Sequence, residues 1–254
     1  MLAADLKMAL DPVLFAREVL GFDPDPWQQQ ALSMSYKRLL LNCCRQSGKS
    51  TTAAIIALHK AIFYPGSLIL LISPSLRQSA ELFKKVADEF NKLENQPKKP
   101  EDNKLSLTLE NRSRIISLPS SEATIRGFSG ASLIIGDEAA RITDDLYYAI
   151  RPMLAVSGGK LILMSTPFGK RGFFFYEWTE GSQVWERIKI TCYDCQRISP
   201  SFIAEEKASM PDMFFKAEYE GEFTEAIDSV FSYDLIMSAI SVEVKPLFST
   251  EGRR

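Results

Sequence analysis

The sequence is poor in the residues that build metal sites and disulfide frameworks. It has one histidine, His59, and four cysteines, of which Cys192 and Cys195 form a single Cys-x-x-Cys pair. A structural zinc ion needs four ligands and no second pair completes the set, so the pattern argues against zinc. Cys43 and Cys44 are adjacent in a polar loop, which is typical of a protein from a reducing compartment.

Long apolar runs and an excess of charge are missing as well. No apolar run approaches membrane-spanning length and no signal peptide is apparent, so we expect a soluble intracellular chain with no membrane partner. The net charge of −2 gives no global electrostatic case for nucleic-acid binding, so any basic surface must be local. The 254 residues, 46% of them hydrophobic and 24% charged, suit one large α/β domain, alone or with a small appendage.

What the sequence does contain is a strand, a loop and a helix in the order of a phosphate-binding loop. Residues 38–42 form an apolar run, residues 43–50 a polar loop, and residues 51–63 a helix-forming run rich in Ala, Ile and Leu. A Gly-Lys-Ser tripeptide also arises by chance, but the flanking strand and helix supply the context that the motif requires. The stretch therefore predicts a nucleotide site.

Each residue type at the end of this loop suits the binding of a polyphosphate and magnesium for a chemical reason. Gly48 lets the backbone approach a polyphosphate, Lys49 can reach its terminal phosphates, and the Ser50 hydroxyl is placed to ligate magnesium. Cys43 stands where the general motif has its first glycine. The predicted nucleotide-binding residues are Gln28, Arg45, Gln46, Ser47, Gly48, Lys49, Ser50 and Thr51.

Gln28 lies upstream of the loop, where Trp27 and Gln28 open a helix. A side-chain amide offers both a donor and an acceptor, so it can pair with the edge of an adenine. The alternative is an ordinary polar residue at a helix start beside a buried tryptophan, and Gln28 taken alone favours this alternative.

Two strand ends carry further candidates. The apolar run from Leu133 to Gly136 ends in Asp137 and Glu138. At the carboxyl end of a parallel strand beside a phosphate loop, the first acid can hold magnesium and the second can activate water as a general base. A later apolar strand ends in the stretch Ser165-Thr166-Pro167, whose hydroxyl groups either sense a terminal phosphate or form an ordinary turn.

The order of elements predicts the fold class. Strands that are apolar on both faces alternate with helices, which is typical of a doubly wound, mostly parallel α/β sheet. Residues 105–118 are expected to form a β-hairpin, and residues 229–231 a short strand. Residues 197–254 are expected to form a small C-terminal subdomain or linker after a core of residues 1–196.

Taken together, these motifs resemble the ATPase domain of phage large terminase subunits over nearly the whole chain. The matching stretches, in order, are Trp27-Gln28, Cys44 to Ser50, Ile125 to Phe128, Ile134 to Ala140, and Ser165 to Pro167. Arg45 and Gln46 before the Gly-Lys pair are a family feature, which accounts for the missing first glycine. The resemblance implies a P-loop NTPase of the additional-strand, catalytic-glutamate (ASCE) type with a C-terminal lid.

The resemblance also implies a function and its partners. It implies a motor that uses ATP and Mg²⁺ to move double-stranded DNA into a procapsid, as a pentameric ring docked on the portal protein and served by the small terminase subunit. Such a motor works in the host cytoplasm and is docked on the procapsid only transiently. The implied roles are adenine recognition for Gln28, phosphate contact for Arg45, magnesium support for Asp137, water activation for Glu138 and coupling for Ser165, Thr166 and Pro167.

Arg126 is the implied arginine finger. Such a residue stabilises charge on the transferred phosphoryl group of a neighbouring subunit, so full activity would depend on assembly. The alternative is an Arg126 that pairs with an acid of its own subunit. Full-length members carry a nuclease domain, and we expect it to be absent from this chain.

DNA contact requires only Lys or Arg at the channel, since a packaging motor needs no sequence readout. Each candidate is equally explained as a solvated surface charge. The candidates are Lys98, Lys99, Lys104, Arg112, Arg114, Lys170 and Arg171.

Two other functions share parts of this pattern. Another translocase or helicase has the same loop and paired acids, but it carries a second comparable α/β domain, for which 254 residues leave no room. A non-catalytic nucleotide-binding module has little use for a water-activating acid such as Glu138.

Overall fold

The computed structural model describes residues 2–120, 125, 127–225 and 233–240. The chain divides into two compact units, residues 1–224 and 225–254. The strands are β1 Arg38–Cys43, β2 Leu68–Ser73, β3 Glu101–Asn103, β4 Ser106–Thr108, β5 Arg114–Pro119, β6 Leu133–Asp137, β7 Lys160–Ser165 and β8 Trp185–Ile190. The α-helices are α1 Leu2–Leu10, α2 Pro12–Glu18, α3 Pro26–Ser33, α4 Lys49–Phe63, α5 Leu76–Asn91, α6 Asp144–Ile150, α7 Gly172–Thr179, α8 Pro200–Ser209, α9 Asp212–Tyr219 and α10 Tyr233–Ala239.

The described strands form one sheet in the order β3-β4-β5-β2-β6-β7-β1-β8. From β5 to β8 all neighbours are parallel, while β3 and β4 are antiparallel at one edge. The predicted doubly wound, mostly parallel sheet is therefore confirmed. Strand β7 lies between β1, which leads into the loop, and β6, which ends in the paired acids.

The sheet is buried on both faces because successive side chains of each strand enter different cores. Leu39 and Leu41 of β1 pack into the core that includes the buried residues of α4 and α5. Leu40, between them, packs into the second core with Tyr147 and Phe174. This alternation explains why the middle residues of the central strands are apolar on both faces. Parallel pairing places the carboxyl ends of these strands at one edge of the sheet.

Two local features differ from or extend the sequence expectations. The hairpin forms as predicted, with β4 antiparallel to β5. An additional three-residue strand that the sequence did not indicate, β3 Glu101–Asn103, pairs with β4. Edge pairing uses backbone groups only, so it leaves no apolar pattern in the sequence.

Residues 197–224 pack on the nucleotide-loop side of the first unit. The Arg45 N–H donates to the Glu218 carbonyl at 2.9 Å, and the Asn42 amide donates to the Gly221 carbonyl at 2.7 Å. The first compact unit therefore extends past the expected boundary at residue 196, and a lid role for the C-terminal segment stays a prediction. The expected strand at 229–231 lies outside the described residues. Among the described helices, none combines the length and apolar character needed to span a membrane.

Candidate functional site

A pocket of about 840 Å³ opens at the carboxyl ends of β1, β6 and β7. Its position follows from the topology, because the parallel strands all deliver their following loops to this edge. It is lined by Arg45, Gln46, Ser47, Gly48, Lys49, Ser50, Thr51, Gln78, Lys85, Glu138, Arg141, Thr166, Arg197 and Ile198.

The loop from β1 to α4 has the backbone shape of an anion cradle. Gln46 and Gly48 have positive φ angles of 59° and 91°, and α4 begins directly at Lys49. The free N–H groups at the amino end of this helix, Lys49–Phe63, therefore lie at the pocket, where the helix dipole favours negative charge. This geometry suits a polyphosphate.

Lys49 and Glu138 meet in this pocket. The Lys49 Nζ lies 2.8 Å from Glu138 Oε1, and both side chains are largely shielded from solvent. Burial lowers the pKa of Lys49, but the charges of Asp137 and Glu138 outweigh burial, so the pKa of this ammonium lies above its ordinary value. Lys49 is therefore a permanent cation held between two carboxyl groups.

Glu138 has an unusual backbone. Its φ and ψ angles are 49° and 43°, a left-handed conformation that costs a non-glycine residue roughly 1 kcal/mol or more. The Asp137 side chain accepts a hydrogen bond from the Glu138 N–H at 2.9 Å, which stabilises this turn. The strained turn holds the second acid at the pocket wall while the first stays buried behind it.

Asp137 and Ser50 fit a magnesium site. Asp137 is 7% exposed, and burial raises the pKa of its carboxyl group to about 6 despite the nearby charge of Lys49. The Ser50 hydroxyl is close enough to the same carboxyl group to act in the opposite direction and lower its pKa. Oxygen donors are the ligands that Mg²⁺ prefers, and a nearby cation would favour the charged form of this buried carboxylate.

The stretch 165–167 lies at the end of β7. Thr166 is buried and lines the pocket, whereas Ser165 is fully buried and its hydroxyl has no hydrogen-bond partner. The structure thus brings Thr166 to the loop and leaves Ser165 and Pro167 behind the pocket wall.

Arg45 and Gln28 already have partners within the chain. Arg45 is exposed and lines the pocket, where its guanidinium group forms an ion pair with Glu218 of α9. Gln28 has no exposed surface, and its amide bonds to the Asp25 N–H and the Thr52 hydroxyl. Adenine recognition by Gln28 stays a prediction, and Arg126 lies outside the described residues.

Comparisons with known proteins agree with this geometry. Residues 40–238 match the family described as terminase large subunit, T4likevirus-type, N-terminal. The chain belongs to this terminase family. It is 28% identical over 250 residues to the large terminase subunits of Thermus phage G20c and Thermus virus P23-45, covering 85% of this chain and 52% of each relative. The chain therefore spans about half the length of these curated relatives.

Solved terminase structures share its fold. The large terminase ATPase domain of Thermus phage P74-26 matches with a TM-score of 0.74 at 24% identity, covering 85% of this chain and all of that domain. The large terminase of a thermophilic bacteriophage in complex with ATP-gamma-S matches with a TM-score of 0.62 at 12% identity, covering 86% of this chain and 52% of that one. The predicted α/β fold is thereby confirmed as that of large terminase ATPase domains.

The terminase chain also has pocket residues that its motifs did not indicate. Arg197, after β8, donates from Nη2 to the Ser47 carbonyl at 2.9 Å. Arg141 follows the paired acids by three positions and stacks on Phe168 at 4.0 Å, while Gln78 and Lys85 reach the pocket from α5. Of these four residues, only Arg141 could have been expected in the pocket from the sequence, because it is close to Glu138. The others depend on long-range packing.

The cysteines do not form a metal cluster. Cys44 and Cys195 lie with their sulfur atoms 3.8 Å apart, and all four thiols are free and buried. Within the described residues, no group of three or more His, Cys, Asp or Glu side chains is arranged to hold a metal ion.

Gly48 is expected to be irreplaceable, and Gly48→Ala tests this. An added Cβ would lie 2.8 Å from the Arg197 guanidinium and 2.9 Å from the Gln28 amide, at a φ of 91°. We expect a loss of about 1–3 kcal/mol in unfolding free energy and at least about tenfold weaker MgATP binding. Urea unfolding and a fluorescent-nucleotide titration measure both.

Gly66→Ala is the matched control for that variant. Gly66 has a φ of 71° but no atom within 4 Å of the added Cβ, so this variant carries the backbone strain without the crowding. It should lose stability and keep its nucleotide affinity. Equal nucleotide affinity in the two variants would show that crowding at the loop is unimportant.

Proposed function

We propose that this chain is the ATP-hydrolysing motor domain of a large terminase that moves double-stranded DNA into a procapsid. The proposal rests on one observation: four side chains lie close together at the loop from β1 to α4, whose backbone suits a polyphosphate. They are Lys49, Glu138, Asp137 and Ser50. A P-loop ATPase needs a cation, a base and a metal-holding acid within reach of the same phosphate group.

The chain's own residues divide the chemistry between them. Lys49 and the amino end of α4 hold the terminal phosphates and offset their charge. Glu138 accepts a proton from the attacking water as the water oxygen bonds to the terminal phosphorus. The bond from that phosphorus to the bridging oxygen breaks, and ADP leaves with the electron pair. Asp137 and Ser50 would hold Mg²⁺, which neutralises charge on the phosphate oxygens when bound.

The Lys49 to Glu138 ion pair suggests how the base is controlled. While Lys49 is bonded to Glu138, the ammonium group occupies a carboxylate oxygen that would otherwise be open to a proton. A phosphate that competes for Lys49 frees the carboxylate to receive a proton. Thr166 lines the pocket at the end of β7, the strand between β1 and β6. We infer that Thr166 transmits the release of Glu138 from Lys49 to the rest of the sheet.

Family membership supports the remaining parts of the proposal. They are a pentameric ring, contacts with the portal protein and the small terminase subunit, and action in the host cytoplasm while docked on the procapsid. DNA contacts would be to phosphates, without sequence readout. Among the described candidates, Lys99 lies over Phe90 and Arg171 over Phe168, while Arg112 and Arg114 flank the β4 to β5 turn.

Assembly dependence is tested by mixing two inactive variants. We expect Glu138→Ala and Arg126→Ala to hydrolyse ATP slowly alone, and a mixture to recover part of the wild-type rate. The physical reason is that an arginine finger and a catalytic base on different subunits complete one intact site. The measurement is ATPase rate against protein concentration for each variant and for the mixture.

The same assay distinguishes the ring mechanism from the alternative, in which Arg126 does not act on a neighbouring subunit. A rate per molecule that does not change with concentration, together with a mixture that stays inactive, would place Arg126 within its own subunit or outside the reaction. The ring mechanism proposed here would then be wrong, while the nucleotide site could still stand.

A further inference from the structure

The phosphate loop is enclosed on its outer side by a closed circuit of polar contacts, which we call the polar clasp. Its side chains are Asp25, Gln28, Thr52 and Arg197. The Asp25 N–H donates to Gln28 Oε1 at 2.8 Å, and Gln28 Nε2 donates to the Thr52 hydroxyl at 2.9 Å. The Thr52 hydroxyl donates to the Gly48 carbonyl at 3.1 Å, on the loop itself.

Arg197 closes the circuit. Its Nη2 donates to the Ser47 carbonyl at 2.9 Å and lies 2.8 Å from Asp25 Oδ2, a charge contact rather than a well-aligned hydrogen bond. Arg197 thereby connects the turn before α3 with the phosphate loop, although these segments are far apart in the sequence. It is about half exposed, whereas Gln28 and Thr52 are fully buried.

The burial of Gln28 limits what its amide can do. With no exposed surface and a hydrogen bond within the chain at each end of its amide, Gln28 does not face a nucleotide base in this structure. Buried amide groups are costly to leave unbonded, so the observed arrangement favours a role toward the loop.

Anchoring the Ser47 carbonyl has a direct effect on the loop's donors. No described peptide bond is cis, and in a planar trans peptide the C=O and the next N–H point in opposite directions. Holding the Ser47 carbonyl on Arg197 therefore turns the Gly48 N–H away from Arg197. The Arg197 guanidinium and the Gln28 amide also lie close to Gly48, 2.8 and 2.9 Å from the position that a Cβ would take.

We propose that Gln28 and Arg197 are positioning residues that fix the phosphate loop, and that they set affinity for the triphosphate group whatever base it carries. This inference rests on the proposed function, because it assumes that the loop binds a nucleotide. It assigns Arg197 a role, and it gives Gln28 a role different from adenine recognition.

The test compares three ligands that share phosphates and differ in the base: MgATP, MgGTP and magnesium tripolyphosphate, which has no base. Their dissociation constants are measured calorimetrically for the wild type, Gln28→Met and Arg197→Gln. We expect each variant to weaken all three ligands by the same factor, at least about tenfold. The KM for MgATP should rise by a larger factor than kcat falls, because both side chains act on the loop and neither touches the reacting atoms.

Matched controls come from the same region. Gln29, the next residue, donates its amide to the Pro24 carbonyl, and Arg17 forms an exposed ion pair with Asp23. Gln29→Met and Arg17→Gln should leave all three affinities within about twofold of the wild type. Rescue by Arg197→Lys should be incomplete, since an ammonium group lacks the planar fork that reaches two partners.

Three outcomes would overturn the inference. If Gln28→Met weakens MgATP alone and leaves tripolyphosphate binding unchanged, Gln28 reads the base. If Arg197→Gln leaves all three affinities unchanged, Arg197 does not position the loop. Because Arg197 is half exposed, its variant answers the question even if Gln28→Met fails to fold. A wild type that binds none of the ligands would refute the proposed function itself, and this inference with it.

Discussion

Glu138→Gln is expected to lose about 10²- to 10⁴-fold in the rate of ATP hydrolysis while still binding MgATP. Glutamine keeps the size of the side chain but cannot accept a proton from water. Loss of the ion pair also frees Lys49 for the phosphates, so we expect binding that is at least as tight as in the wild type. Single-turnover hydrolysis and a nucleotide titration on the same preparation measure the two effects.

Glu186→Gln is the control for Glu138→Gln. Glu186 is an exposed carboxylate on β8, at the edge of the sheet and outside the pocket. Its replacement should change neither hydrolysis nor binding. If Glu138→Gln hydrolyses ATP at the wild-type rate, the general base lies elsewhere, and the assignment of the paired acids has to be abandoned.

Lys49→Met is expected to have the second largest effect, weakening MgATP binding by about 10- to 100-fold. The variant removes the cation that faces the terminal phosphates and leaves Asp137 and Glu138 without their counter-ion. We therefore also expect the nucleotide-free chain to lose about 1–3 kcal/mol in unfolding free energy. Calorimetric titration and urea unfolding measure the two quantities.

Two further variants test why Lys49→Met should lose nucleotide affinity and unfolding free energy. Lys60→Met changes a lysine at the other end of the same helix, where its ammonium lies 3.7 Å from the Tyr64 ring centroid, and it should keep nucleotide affinity. The double variant with Lys49→Met and Glu138→Gln should recover part of the lost stability, because one uncompensated charge is removed. No recovery would mean that the ion pair does not stabilise the nucleotide-free chain.

The loop and the paired acids could be predicted because their signals are local. Gly48, Lys49 and Ser50 follow a strand and open a helix, and that backbone path alone places their N–H groups and side chains at one edge. Asp137 and Glu138 end a strand that is apolar on both faces, which places them at the same edge in a parallel sheet. The order of these elements along the chain was enough to predict the architecture.

The partners of Arg45 and Arg197 could not be predicted in this way. Arg45 pairs with Glu218, and Arg197 bonds to Ser47, across 173 and 150 residues of sequence. Such contacts depend on how residues 197–224 pack against the loop, and no periodicity or spacing records that packing.

The sequence by itself therefore determined the doubly wound sheet, the phosphate loop and the two acids, because hydrophobic periodicity and short motifs fix local backbone geometry. Only the tertiary structure decided which side chains surround that loop. It bonded the Gln28 amide to Thr52, paired Arg45 with Glu218 and brought Arg197 to the Ser47 carbonyl. The physical reason is that polar contacts between distant segments form only where the packed cores bring those segments together.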